Sequence, residues 1–218
     1  MKVHPLKIVV ILASLISAAV FTTATSAAPV TSIAGGTAVT LPVENYFGSG
    51  PKTVTPNITW SSNNSSVYGY NGGYGFGGNG YWTNNLIMVG SNSPTDEMTF
   101  TFANPVAAFG GFFNFAPGFG SPATISAYDA TDTLLDTFVL TFTTNGGNDQ
   151  GEFHGFREST ANISSFKMAG EYIGGANFVV GNAAEAAAVP EPESLTLFGL
   201  GLLSFVAARR KLVKSKNA

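Results

Sequence analysis

Residues Ala123 to Phe142 read ATISAYDATDTLLDTFVLTF. Two runs rich in β-branched, aliphatic and aromatic side chains, Ala123 to Tyr128 and Leu134 to Phe142, flank the turn-forming segment Asp129-Ala130-Thr131-Asp132-Thr133. Side chains of these types suit a pleated, half-buried surface, so the stretch predicts a β-hairpin. Outward from it the pattern repeats. Met98 to Phe102 alternates as MTFTF, and Val106 to Phe115 is apolar with a Gly110-Gly111 interruption that signals a bulge or a close backbone approach. On the other side, Glu152 to Phe156, Ile163 to Met168 and Ala176 to Val180 complete a series of short strands. No long helical periodicity intervenes. The expected fold is all-β, a β-sandwich of jelly-roll or lectin-like kind over residues 28–180.

Composition agrees. Of 218 residues, 26 are Gly, 18 Phe and 7 Tyr, and only 11% are charged. The net charge of −3 conceals an asymmetry. Between the two ends the only basic residues are Lys52, Arg157 and Lys167, set against eleven acids, so this body carries about −8. Such a surface repels phosphate backbones, and nucleic acid is not an expected partner. The chain has no cysteine, which removes disulfides, thiol catalysis and cysteine-ligated metal.

Both ends read as addresses. Lys2 and Lys7 precede the apolar run Ile8 to Phe21, and small residues follow from Thr22 to Ala28. This is the three-part pattern of a secretory signal peptide over residues 1–27, with cleavage expected after Ala27 and Thr25 and Ala27 at the small-residue positions. Cutting one residue later would set Pro29 beside the scissile bond. At the other end an alanine-rich linker, residues 181–189, leads to Pro190-Glu191-Pro192, then to the apolar stretch Ser194 to Ala208, then to Arg209-Arg210-Lys211. At 1.5 Å per residue the apolar stretch covers roughly 22 Å, short of a ~30 Å hydrocarbon core, which snorkelling basic side chains and local thinning can accommodate. The basic cluster orients this expected single transmembrane helix with the body outside.

The order Pro-Glu-Pro, short apolar helix and basic terminus, here Pro190, Glu191, Pro192 with Arg209, Arg210 and Lys211, resembles the PEP-CTERM sorting tail. The resemblance implies recognition by an exosortase, a membrane-embedded cysteine transpeptidase, in a Gram-negative, exopolysaccharide-producing host. It also implies a transient stay in the inner membrane and a destination at the cell surface or in extracellular matrix. The body too is similar to those common among PEP-CTERM proteins, in the phrases FTFANPVAAFGGFFNF (Phe100 to Phe115), the hairpin stretch, EFHGF (Glu152 to Phe156) and ISSFKMAGEYIGGANFVV (Ile163 to Val180). That group commonly closes its last strand with an acidic residue, whereas Asn177 to Asn182 here offers none.

Val67 to Trp82 reads VYGYNGGYGFGGNGYW. One reading is a carbohydrate platform, in which Tyr70, Tyr74, Phe76, Tyr81 and Trp82 present flat faces to sugar C–H groups and Asn71, Asn79 and Asn84 bond hydroxyls. The other is a long glycine-rich loop whose rings pack on the sandwich. Catalytic patterns are missing: no G-x-S-x-G or H-E-x-x-H occurs. His154 reads as a strand residue, and Glu152 and Glu158 as solvated surface acids. No resident cofactor is expected. Calcium is the one metal the sequence suggests, through Asn145, Asn148, Asp149 and Glu152 on one loop. The function expected is a non-enzymatic surface or matrix protein associated with exopolysaccharide. The alternatives are an exported glycan-active enzyme and a purely structural surface protein.

Overall fold

The computed structural model describes residues 27–182. Residues 1–26 of the expected signal segment, most of the linker, and the sorting tail with its apolar stretch at 194–208 lie outside the described residues. What is described is all-β and antiparallel, with one 3₁₀ turn, Gly77–Asn79.

The fold grows from the hairpin. Strands β12 (Thr124–Tyr128) and β13 (Leu134–Val139) pair antiparallel. Asp129 holds the turn: its Oδ1 accepts from the Thr131 amide at 2.8 Å, the Thr131 hydroxyl at 2.8 Å and the Thr133 amide at 2.9 Å. The Thr133 and Thr131 bonds favour the ionised form and hold this carboxyl below the usual carboxylate range. Outward from the turn, β11 (Ala108–Asn114) pairs with β14 (Glu152–Arg157), β10 (Glu97–Val106) with β15 (Ile163–Ala169), and β9 (Met88–Ser91) with β16 (Gly174–Gly181). These eight strands are therefore one long antiparallel ribbon doubled back at Asp129–Thr133. Successive pairs alternate between sheets, which gives the orders β14-β11-β16-β9 and β13-β12-β15-β10.

The earlier strands widen both sheets. β1 (Ala28–Val30) adds to β14, and β2 (Thr37–Val39) pairs with β16. β6 (Ser66–Tyr70) and β3 (Tyr46–Gly48) extend the sheet beyond β9, while β5 (Ile58–Ser62) and β4 (Lys52–Thr55) extend the other beyond β10. β7 (Tyr74–Gly75) and β8 (Tyr81–Trp82) form a small separate hairpin.

Between the two larger sheets lies a phenylalanine core. Phe100 and Phe166 from one meet Phe109, Phe113 and Phe178 from the other, all at 0% exposure. Ring centroids are 4.6 Å apart for Phe100–Phe178, 5.1 Å for Phe109–Phe166 and 5.3 Å for Phe100–Phe109. Each buried ring contributes about 1.5–3 kcal/mol of transfer free energy, and each such pair about 0.5–1.5 kcal/mol more. The Gly110-Gly111 interruption marks a close approach. Gly110 and Gly155 are register partners, and a Cβ on Gly155 would stand 2.6 Å from the Gly110 Cα; one on Gly111 would stand 2.6 Å from the Phe178 ring.

Three expectations need correction. Val106 to Phe115 is not one strand: β10 runs to Val106, and β11 begins at Ala108 after the fully buried Ala107, whose amide donates to the Gly181 carbonyl. The second arm of the hairpin ends as a strand at Val139, with one further in-register bond from the Leu140 amide to the Ala123 carbonyl. Val67 to Trp82 is not a loop throughout, since β6, β7, a 3₁₀ turn and β8 occupy most of it.

Candidate functional site

The aromatic-glycine segment folds over the outer face of the larger sheet and builds a second core there. Phe76 and Trp82 are at 0% exposure and pack with Val67, Met88, Ala116 and Ala176. The Trp82 ring lies 4.9 Å from Phe76 in an edge contact and 5.9 Å from Phe112 in a stacked one. Its Nε1–H donates to the Gln150 carbonyl at 2.6 Å. Tyr74 is part-buried, and its hydroxyl donates to the Ser91 carbonyl. Burial pushes that phenol well above the usual tyrosine range. Tyr70 packs edge-on against Phe47 at 5.6 Å, and Tyr81, at 45%, is the most exposed of the five rings. A flat platform built from Tyr70, Tyr74, Phe76, Tyr81 and Trp82 is therefore not what the segment forms. Two of the rings are core, and only Tyr81 offers a large open face.

The Asn79 amide of this segment is also spent internally. Asn79, 3% exposed, donates through Nδ2 to Asn114 Oδ1 at 2.8 Å and to the Phe115 carbonyl at 3.1 Å, while its Oδ1 accepts from the Thr144 amide at 2.6 Å. Asn114 is fully buried and returns a bond to the Asn79 carbonyl at 2.9 Å. This satisfied pair ties the small hairpin to the end of β11 and to the 143–151 loop, as buried polar groups require.

That loop carries three of the residues singled out for calcium, Asn145, Asn148 and Asp149, and the fourth, Glu152, opens β14. Asp149 Oδ1 accepts from the Thr83 amide at 2.7 Å, and its Oδ2 accepts from the Thr83 hydroxyl at 2.8 Å and from Asn85 Nδ2 at 2.9 Å. These bonds, the Thr83 amide first, hold the carboxyl below its usual range. Asn145 Oδ1 accepts from the Gly147 amide, and Glu152 Oε2 lies 3.1 Å from His154 Nε2. Asn148 bridges to Tyr81 through the backbone. The Asp149 oxygens thus clamp the loop to the Thr83–Asn85 segment, while Asn145 bonds within the loop and Glu152 bonds to His154 on its own strand. Among the described residues no cluster of three or more His, Cys, Asp or Glu is placed to hold a metal ion.

His154 is a strand residue of β14, as expected, with its ring stacked on Phe138 at 5.0 Å and Phe142 at 5.7 Å. Glu152 is exposed, but Glu158 is not a solvated acid: it is 2% exposed and neither carboxyl oxygen has a hydrogen-bond partner. The reason is that Glu158 follows the last residue of β14, where its amide is drawn to the Ala107 carbonyl at 2.7 Å.

An open groove of about 350 Å³ went unseen in the sequence. Asn57, Asn104, Asn182, Thr37 and Thr55 line it over the apolar side chains of Ile58 and Phe102. Its residues come from separate segments, and the only local cue is the turn-forming dipeptide Asn104-Pro105. No Asp, Glu, His, Lys or Arg lines it. A few placed amides over an apolar floor can bind a neutral polyol, while hydrolysis of a glycosidic bond needs carboxyl groups this groove lacks.

Beyond the body, the PEP-CTERM protein-sorting motif matches residues 188–211, which include Pro190, Glu191, Pro192, Arg209, Arg210 and Lys211. The chain thus carries the sorting signal of an exosortase substrate. No curated protein and no solved structure matches the chain. Among the described residues, no helix is long and apolar enough to cross a membrane.

Proposed function

We propose that this chain is an exported, non-enzymatic cell-surface or matrix protein that an exosortase releases from a transient inner-membrane anchor and that associates with exopolysaccharide. The observation that carries the reading is the sorting motif at 188–211, which begins six residues after the last described residue, Asn182. A folded β-body, a short alanine-rich connection and a membrane-adjacent extended motif form a sequence of parts suited to release. Two prolines deny the motif helical hydrogen bonds and keep it open to a protease. The leader at 1–27 supplies export, and the −8 body stays clear of anionic surfaces. Mass mapping of the surface-released protein should place its carboxyl terminus at or close to Pro190–Pro192. A product that still contains Ser194 to Ala208 would refute processing.

The body in this reading is a jelly-roll β-sandwich with a lectin-like task. The strand order and the facing phenylalanine layers support it. The groove lined by Asn57 and Asn104 is the saccharide site, with the amides bonding hydroxyls. An amide hydrogen bond contributes about 0.5–1.5 kcal/mol net, so the double substitution Asn57→Ala with Asn104→Ala should weaken binding of the producing host's own polysaccharide roughly tenfold. Tyr81→Ala should leave that affinity unchanged. Loss of binding in the Tyr81 variant alone would return the site to the aromatic segment, and turnover of the polysaccharide would favour the glycan-active enzyme.

A further inference from the structure

Two acidic side chains are buried among the described residues, Asp96 and Glu158, and they are treated very differently. Asp96 is fully served: Oδ1 accepts from Asn64 Nδ2 at 3.1 Å, and Oδ2 accepts from the Ser66 hydroxyl and from the Asn92 and Ser93 amides at 2.9–3.2 Å. Glu158 has nothing. Both its oxygens are buried without a partner, and no ion pair within the described residues includes it. Burial, with Asp136 of β13 adding repulsion, holds its carboxyl above the usual range. The adjacent cation, Arg157, turns elsewhere: its Nη2 donates to the Ala34 carbonyl at 3.4 Å. An ionised carboxylate left this way is costly, and a native fold keeps one only where something pairs with it.

The strand beside it is β1. β1 pairs antiparallel with β14 in the register Ala28 opposite Arg157, Pro29 opposite Phe156 and Val30 opposite Gly155. One further step sets Ala27 opposite Glu158, and both are 2% exposed, on the same buried face. Directly opposed residues hold their Cβ atoms about 4.5–5.5 Å apart, within the reach of a glutamate side chain. The carboxyl group therefore lies beside the peptide bond that joins Ala27 to Ala28, the bond at which the leader is expected to be cut.

We propose that Glu158 is the binding site for the chain's own mature amino terminus, an α-ammonium group that exists only after the leader has been removed. The inference rests on the reading of residues 1–27 as a cleaved leader. Hydrolysis adds water across the Ala27–Ala28 amide. Hydroxyl goes to the Ala27 carbonyl carbon, the C–N bond breaks, and the nitrogen leaves as an amine that takes up a proton at neutral pH. Before the cut, that nitrogen is a neutral amide and Glu158 is an unpaired acid. After it, the new ammonium sits beside the carboxylate and fastens β1 to β14. Asp136, whose charge already acts on Glu158, strengthens the attraction for a cation. Processing thus completes the fold, and in the unprocessed chain the Glu158 carboxyl is buried without a partner.

The test uses processed protein purified from the producing host, as wild type and as Glu158→Gln. Terminal sequencing first fixes the amino terminus. The α-amine is then labelled with acetic anhydride at a series of pH values, and the terminal peptide is quantified by mass spectrometry. An ordinary α-amine titrates near 7.7–8.0, and pairing with Glu158 should raise the wild-type midpoint by about one unit and slow labelling at pH 7.5 about tenfold relative to E158Q. Steric shielding alone would slow both proteins alike and leave both midpoints ordinary, which would overturn the proposal. If E158Q does not accumulate, the wild-type midpoint decides by itself, and an ordinary value overturns the pairing. A mature chain that retains Lys7 to Phe21 would overturn the leader reading and the pairing together. A terminus at Ala28 with an ordinary amine would overturn the pairing alone.

Discussion

Replacing Pro190, Glu191 and Pro192 by alanine should abolish release: the body should accumulate in the inner membrane, at a mass that includes the tail, with little reaching the surface. The argument is local. The matched motif spans 188–211 and places these three residues directly before the apolar stretch at 194–208. Proline at two of three positions fixes φ near −65° and removes two amide donors, so the segment cannot join a helix of the kind expected for the apolar stretch. Three alanines reverse this. They are strong helix formers, and they would let such a helix run back into the linker, which is already alanine-rich from Ala183 to Ala188. The apolar stretch and the Arg209-Arg210-Lys211 cluster are untouched by the change, so the proposed anchoring should persist while the proposed cutting stops. Deleting Ser194 to Ala218 should have the opposite outcome, with soluble body released and no membrane stage. Fractionation with an antibody against the body separates the two. If the triple variant reached the surface at normal mass and yield, the motif would have no part in release.

The parts of this protein that were readable in advance are those whose determinants are close in sequence. The hairpin at 123–142 is one: strand formers on both arms and the Asp129 turn lie within twenty positions, and the whole eight-stranded ribbon is folded about it. The sorting tail is another, being a contiguous pattern by nature. What escaped depends on partners that are remote. The rings of 67–82 alternate with glycine, a composition that reads as loop, yet glycine is what lets them pack. A Cβ on Gly73 would strike the Tyr81 hydroxyl, and one on Gly174, in β16, would stand 2.8 Å from the Phe76 ring. Nothing within the segment reveals that Gly174 and Phe112 wait to cover Phe76 and Trp82. Glu158 escaped for the same reason, because the strand that covers it, β1, lies about 130 positions earlier in the chain. The amides of the groove come from three distant segments at Asn57, Asn104 and Asn182.

Trp82→Ala should be among the most destabilising single substitutions in the body, about 3–5 kcal/mol, the usual range for deleting a fully buried large aromatic. Trp82 is at 0% exposure, between the Phe76 and Phe112 rings, and its Nε1–H is spent on the Gln150 carbonyl. Truncation therefore opens a cavity, removes two aromatic contacts and leaves the part-buried Gln150 carbonyl with one donor fewer. That carbonyl still accepts from Asn114 Nδ2 at 3.1 Å, which limits the hydrogen-bond share of the loss to about 1 kcal/mol. Trp82→Phe keeps most of the apolar volume and should lose roughly half as much. Tyr81→Ala, one position earlier but 45% exposed, should stay within about 1 kcal/mol of wild type. Urea denaturation of the processed protein measures all three. A Trp82→Ala variant as stable as wild type would mean that the outer aromatic layer contributes nothing to the fold. Its rings would then be held in place for a ligand, and the small hairpin, rather than the amide groove, would be the surface that meets polysaccharide.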